Sequence, residues 1–274
     1  MNDGKALMAG KRGLIMGVAN DHSIAWGIAR MLHAHGAELA FTYQGEAFKK
    51  RVEPLAKSVG STLLLPCNVE SADELDAVFS ALERAWGGLE FVVHAIAYSD
   101  KEELKGRYVE TTAANFDRTL GVSCYSFTAI ARRAAGLMKN GGSLLTLTFS
   151  GSERVMPNYN VMGVAKAALE ASVRYLAEDL GREGIRVNAI SAGPVRTLAG
   201  SAIGGARQVL RWTEVHAPLR HGVSLDELGG AALYLLSGLS AGVTGEVHFV
   251  DGGYNIIAIP APGNLGSKNG DGGT

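Results

Sequence analysis

The chain has 274 residues, 47% hydrophobic and 19% charged, enough for one large buried core, and one domain is expected rather than two. Its 26 basic and 27 acidic residues leave a formal charge of −1, which gives no electrostatic footprint for a nucleic-acid backbone. No run of about 18 apolar residues is present to cross a bilayer, and Met1 to Leu7 lacks the basic segment and apolar run of a secretory signal, so a cytoplasmic protein is expected.

From about residue 12 to 250, short apolar or β-branched runs take turns with longer segments of helical period. Strands are expected at residues 13–17, 38–42, 62–66, 91–94, 143–149, 185–190 and 246–250, with helices starting near Ser23, Ala47, Ala72, Ala113, Asn158 and Ser224. Repeated βα units of this kind imply a single-domain, Rossmann-type α/β fold: a doubly wound parallel sheet of about seven strands with helices on both faces. Cys67 and Cys124 lie far apart with no CxxC, and the nearest histidines, His33 and His35, are spaced to face apart on a helix. Thiols and no metal site are expected.

After the first strand, Gly17 allows a sharp turn, Ser23 and the free amides of a helix start can bind a phosphate, and Gly27 is expected to let that helix pack closely on the sheet. The loop lacks the third glycine of GxGxxG, so an ordinary βα turn is the competing reading. At the end of the second strand, Thr42-Tyr43-Gln44-Gly45-Glu46 carries neither an acid on the strand nor an arginine for a 2′-phosphate. Gln44 can bond ribose hydroxyls and Glu46 repels phosphate, which favours NADH over NADPH; otherwise Gln44 is a solvent-facing loop residue. Past the third strand, the Asn68 side-chain carbonyl can hold an adenine amino group or close an Asx turn.

Tyr159 and Lys166 stand seven residues apart at the start of the helix that Gly181 closes. That spacing puts a phenol and an ammonium on one helix face, roughly 10 Å apart along the axis. A random pair would read as a core tyrosine and a snorkelling lysine. Here the glycine loop, the sheet edge and the Pro194 to Thr197 turn converge on the same crevice, which favours a reactive site. Residues 198–217, with Gly204-Gly205, read as an irregular insertion able to serve as a lid over the main unit, residues 1–260, and residues 261–274 as a disordered tail.

Together these residues resemble the short-chain dehydrogenase/reductase superfamily, and within it the divergent branch of NADH-dependent enoyl-[acyl-carrier-protein] reductases. The resemblance runs from Gly10-Lys11-Arg12 to Val250-Asp251-Gly252-Gly253-Tyr254. Its marks are the Gly17 to Ala25 loop, Phe41-Thr42-Tyr43-Gln44, the Tyr159 to Lys166 spacing and the run from Ile190 to Ala199. Ordinary superfamily members place lysine four residues after the tyrosine, where this chain has Gly163.

The resemblance implies that NADH lies along Gly17, Ser23, Ile24, Gln44, Asn68, Val69 and Ile96. Lys166 would meet the nicotinamide ribose, and Val195 and Thr197 the carboxamide. It further implies that Tyr159 faces a trans-2-enoyl thioester in a pocket with Ser99 and Phe149. The enzyme would be a homotetramer, using the carboxyl-terminal strand and Ile256-Ile257-Ala258-Ile259-Pro260, and Arg207 and Arg211 would greet an acidic acyl carrier protein, unless they only solvate a helix. Three positions depart from the bacterial pattern: Phe149 replaces a second tyrosine, Asn68 an aspartate, and Ala97 a glycine whose added methyl narrows the room beside the nicotinamide. A ketone or alcohol reductase of the same superfamily, and a non-catalytic dinucleotide-binding protein, remain alternatives. Acyl-chain length and the choice between carrier protein and coenzyme A are not legible.

Overall fold

Seven short strands, β1 (Arg12–Met16), β2 (Glu38–Tyr43), β3 (Leu63–Pro66), β4 (Phe91–His94), β5 (Gly142–Thr148), β6 (Ile185–Ala192) and β7 (Val247–Val250), pair in one parallel sheet of order β3-β2-β1-β4-β5-β6-β7. The computed structural model describes residues 6–197 and 206–259. The central strands read as unbroken apolar runs because both faces are covered. Successive side chains point to opposite faces, so Ile15, Phe91 and Val93 enter one core layer while Leu14, Met16 and Val92 enter the other.

The first layer is closed by α1 (Ile24–Ala34), α2 (Gly45–Ser58) and the last helix. The second is closed by α3 (Ala72–Trp86), α5 (Ser126–Leu137) and α6 (Asn160–Gly181). Glycine at position 27 meets a neighbour other than the expected one. A Cβ there would stand 2.8 Å from Leu225 Cβ, and one at Gly229 would stand 2.9 Å from Met31 Cβ. The two glycines therefore let α1 cross close to the last helix rather than to the sheet. That last helix is α8 (Leu225–Leu236), and its start carries the expected capping box of Ser224 and Glu227.

Two helical features correct the expectations. Residues 206–216, read as irregular, form α7 (Ala206–His216), whose inward positions Val209, Thr213 and His216 follow helical spacing. Gly204-Gly205 and the rest of 198–205 lie outside the described residues, as does the proposed tail at 261–274. The helix expected from Ala113 does begin there, as α4 (Ala113–Leu120), but runs through a π turn at Gly121–Tyr125 before continuing as α5.

His94 pins that π turn. It is wholly buried at the end of β4, with Nδ1 2.8 Å from Thr146 Oγ1 and Nε2 2.8 Å from Ser126 Oγ. Ser126 gives its own proton to the Val122 carbonyl at 2.6 Å, so Nε2–H is the donor to Ser126, and burial keeps the ring neutral. Burial, with the nearby Lys166 charge, lowers the His94 pKa to about 3. Between roughly pH 6.5 and 3 the unfolded chain therefore binds a proton at His94 that the folded chain refuses, and stability falls as pH drops, by about 1.4 kcal/mol per pH unit. His94→Gln should flatten this part of the slope in urea unfolding measured from pH 7 to 4. An unchanged slope would show that His94 is not held neutral.

Candidate active site

Because all strands are parallel, their carboxyl ends lie on one edge, and the order reverses between β1 and β4, which opens a crevice there. Gly17 follows β1 with φ +99°, and a Cβ on it would stand 2.0 Å from the Ala95 carbonyl oxygen, so no other residue fits that turn. Ser23, buried just before α1, accepts bonds from the amides of Ala19 and Asn20, both at 3.0 Å. Its hydroxyl thus shapes the loop, and the first-turn amides of Ile24 and Ala25 are left with no acceptor inside the helix, where an anion is favoured.

At the next strand ends, Gln44 Nε2 donates to Asn68 Oδ1 at 3.2 Å, and the same oxygen accepts from Glu70 N at 3.1 Å. The structure joins two residues that the sequence offers separately, and Asn68 does close an Asx turn. Val69 and Ile96 pack against the second core layer and Val195 against the first, while Thr197 N donates to the Val195 carbonyl at 2.8 Å.

The wall that carries Tyr159 and Lys166 begins one residue before α6. Tyr159 is flanked by Asn158 at φ 58° and Asn160 at φ 35°, left-handed positions that asparagine tolerates. Asn160 Nδ2 anchors the turn to the Glu103 carbonyl at 3.1 Å. The Tyr159 ring is buried edge-on to Phe149 at 5.2 Å between centroids. Its hydroxyl bonds to no described residue. A Cβ at Gly151 would press 2.5 Å from Tyr159 Cδ1, and one at Gly163 would stand 2.7 Å from the Gly151 carbonyl. That contact explains why no side chain, lysine included, stands four residues after this tyrosine.

Lys166 is buried and donates from Nζ to the Leu147 carbonyl at 2.8 Å. Loss of water draws its pKa down to about 8, while Cys124 and Glu170 push back. Burial and Glu170 hold the Tyr159 phenol above its ordinary range, so it stays protonated. Cys67 is free and buried, and burial raises its thiol to about 12, which makes it inert at neutral pH.

Ser99 sits in a polar knot, 3.0 Å from Thr119 Oγ1 and 3.3 Å from Asn115 Nδ2, beside the loop after β4. Sequence reading missed Ser123, whose hydroxyl clasps Tyr98 N and the Tyr98 carbonyl, each at 3.0 Å, from the π turn. It missed Glu170 as well, although its four-residue spacing from Lys166 puts both on one face of α6. Among the described residues no three His, Cys, Asp or Glu side chains gather as a metal site would require, and no helix is long and apolar enough to cross a membrane.

A family described as "Enoyl-(Acyl carrier protein) reductase" matches residues 17–255. "Enoyl-[acyl-carrier-protein] reductase [NADH] 2" of Rhizobium meliloti is 66% identical over 254 residues, 93% of this chain and 95% of the relative. The Rickettsia bellii "Enoyl-[acyl-carrier-protein] reductase [NADH] FabI" is 52% identical, covering 92% and 96%. Among solved structures, FabI of Candidatus Liberibacter asiaticus superposes with a TM-score of 0.91 at 58% identity, covering 93% of this chain and 99% of that one. The Anaplasma phagocytophilum reductase, crystallised in complex with NAD, gives 0.90 at 58% identity, with 93% and 97% covered.

The packing around Tyr159 is directly testable. Gly151→Ala should force the ring aside and lower the unfolding free energy by about 1–3 kcal/mol, the usual cost of overpacking, as read from urea denaturation. A variant as stable as the parent, with the tyrosine ring unmoved in a crystal structure, would refute the tight fit.

Proposed function

The chain belongs to the enoyl-(acyl carrier protein) reductase family, and from that premise we propose that it reduces trans-2-enoyl thioesters on an acyl carrier protein to saturated acyl thioesters with NADH, in fatty-acid biosynthesis. The observation that carries this reading is a protonated phenol and a buried ammonium on one wall of the crevice, beside a loop built to receive a pyrophosphate.

The chain's residues fit the dinucleotide. Gly17, Ser23, Ile24 and the free amides of α1 suit its phosphates, Gln44 and Asn68 its adenosine, Val69 and Ile96 its apolar faces, and Val195 and Thr197 the carboxamide. When bound, the reduced nicotinamide supplies a hydride for the β-carbon of the thioester. Negative charge then gathers on the thioester oxygen, and the Tyr159 hydroxyl donates to it, an interaction stronger in the transition state than in the bound substrate. Lys166 keeps one proton on Leu147, leaves two for ribose hydroxyls, and places positive charge near the developing anion. Ser99 and Phe149 line the acyl side. Exposed Glu46 repels a 2′-phosphate, which supports NADH over NADPH.

The remaining assignments rest on the same reading. Residues 1–260 act as one reductase domain, with the segment around 198–217 as a lid. Arg207 and Arg211, both exposed on α7, face the acidic carrier protein. The β7 edge, with Ile256 and Ile259 exposed by 72% and 85%, seats neighbouring subunits of a homotetramer; Pro260 lies outside the described residues. The enzyme works in the cytoplasm.

Oxidation of NADH and NADPH, followed spectrophotometrically with a panel of enoyl thioesters and ketones, tests the reading. NADH with enoyl thioesters should give turnover, and turnover of ketones alone would replace it with a carbonyl reductase. Tyr159→Phe should cut kcat about a hundredfold with NADH affinity nearly intact, whereas Lys166→Ala should weaken both. Equal losses of cofactor binding in the two variants would contradict this division of labour.

A further inference from the structure

Glu170 is a buried carboxyl group one turn beyond Lys166 on α6, and the mechanism above makes no use of it. Thr148 Oγ1 donates to Glu170 Oε1 at 2.5 Å, and Lys166 Nζ donates to the carbonyl of Leu147, the residue before Thr148, at 2.8 Å. Two side chains of α6 are thus tied to consecutive residues at the carboxyl end of β5. Both groups are thereby held at fixed positions behind the wall that carries Tyr159. Lys166 forms no ion pair with any described residue. The titratable groups felt by Lys166 are Cys124 from the π turn and Glu170 on its own helix; His94 from β4 feels the Lys166 charge, and Tyr159 feels Glu170.

We propose that Glu170, fixed by Thr148, is a positioning residue whose negative charge holds Lys166 as an ammonium and Tyr159 as a neutral phenol across the working pH range. Both are the forms that the proposed reduction needs, and the inference rests on that reading. A fixed anion favours the charged form of a neighbouring lysine and disfavours the charged form of a neighbouring tyrosine, so one carboxylate serves both groups. Burial alone pulls the other way for the lysine, which makes the compensation necessary. Thr148 matters because a fixed donor keeps the carboxylate in one place, whereas a loose one would turn away.

The test is the pH dependence of kcat/KM with an enoyl thioester, alongside that of the NADH dissociation constant, in the parent enzyme, Glu170→Gln, Glu170→Asp and Thr148→Val. In Glu170→Gln the alkaline limb of both profiles should move down by about one pH unit, so that the ratio of activity at low to high pH rises up to tenfold. Thr148→Val should move it the same way by less, and Glu170→Asp should restore the parent limb. If Glu170→Gln fails to fold, Thr148→Val decides. A loss that is uniform across pH, or limbs that coincide with the parent's, overturns the proposal. The NADH profile needs no thioester, so a parent enzyme without thioester turnover sinks the functional reading while the titration still judges Glu170.

Discussion

An ammonium kept out of water is the constraint on which the site depends. Lys166 is buried, its one described partner is a main-chain carbonyl, and its pKa falls to about 8. A lysine in that state tolerates few arrangements: it needs acceptors on a rigid frame and a nearby negative charge. The frame is the end of β5, where Leu147 and Thr148 pair with Ile190 and Ser191 of β6 just beyond the last pair with β4 at Thr146, so it cannot shift without disturbing the middle of the sheet.

The same rigidity reaches Tyr159. Its ring lies against Phe149 and the two glycines at 151 and 163, and its backbone is held by asparagines in left-handed conformations on both sides. Phe149 carries no hydroxyl, so an aromatic edge rather than a hydrogen bond sets the ring's orientation. A phenol placed by packing can keep its own hydroxyl for a ligand. The ends of β2 and β3 are organised differently, by exposed polar contacts that join Gln44, Asn68 and Glu70.

Much of this was legible in the sequence, for physical reasons. Strands covered on both faces read as apolar runs, so all seven were recognisable, each end within two residues of its observed place. The candidate residues fall at strand ends on one edge because parallel pairing puts them there. What escaped depends on contacts between distant segments. Helical period continues through Gly121–Tyr125, and what marks the π turn is long-range bonding, from His94 to Ser126 and between Ser123 and Tyr98. Gly27 looks the same in sequence whether it meets a sheet or Leu225, and the amphipathic spacing of α7 was masked by the paired glycines before it. Glu170 resembles any helical glutamate until Thr148 is seen beside it.

The central claim is that a single phenol, fixed by packing, reaches the oxygen on which charge develops. A crystal structure of the ternary complex with oxidised cofactor and an enoyl thioester tests it most directly. It should show the Tyr159 hydroxyl within hydrogen-bond distance of the thioester oxygen while Lys166 still holds Leu147. A ring turned away from that oxygen, with no donor from Tyr159 at its side, would contradict it.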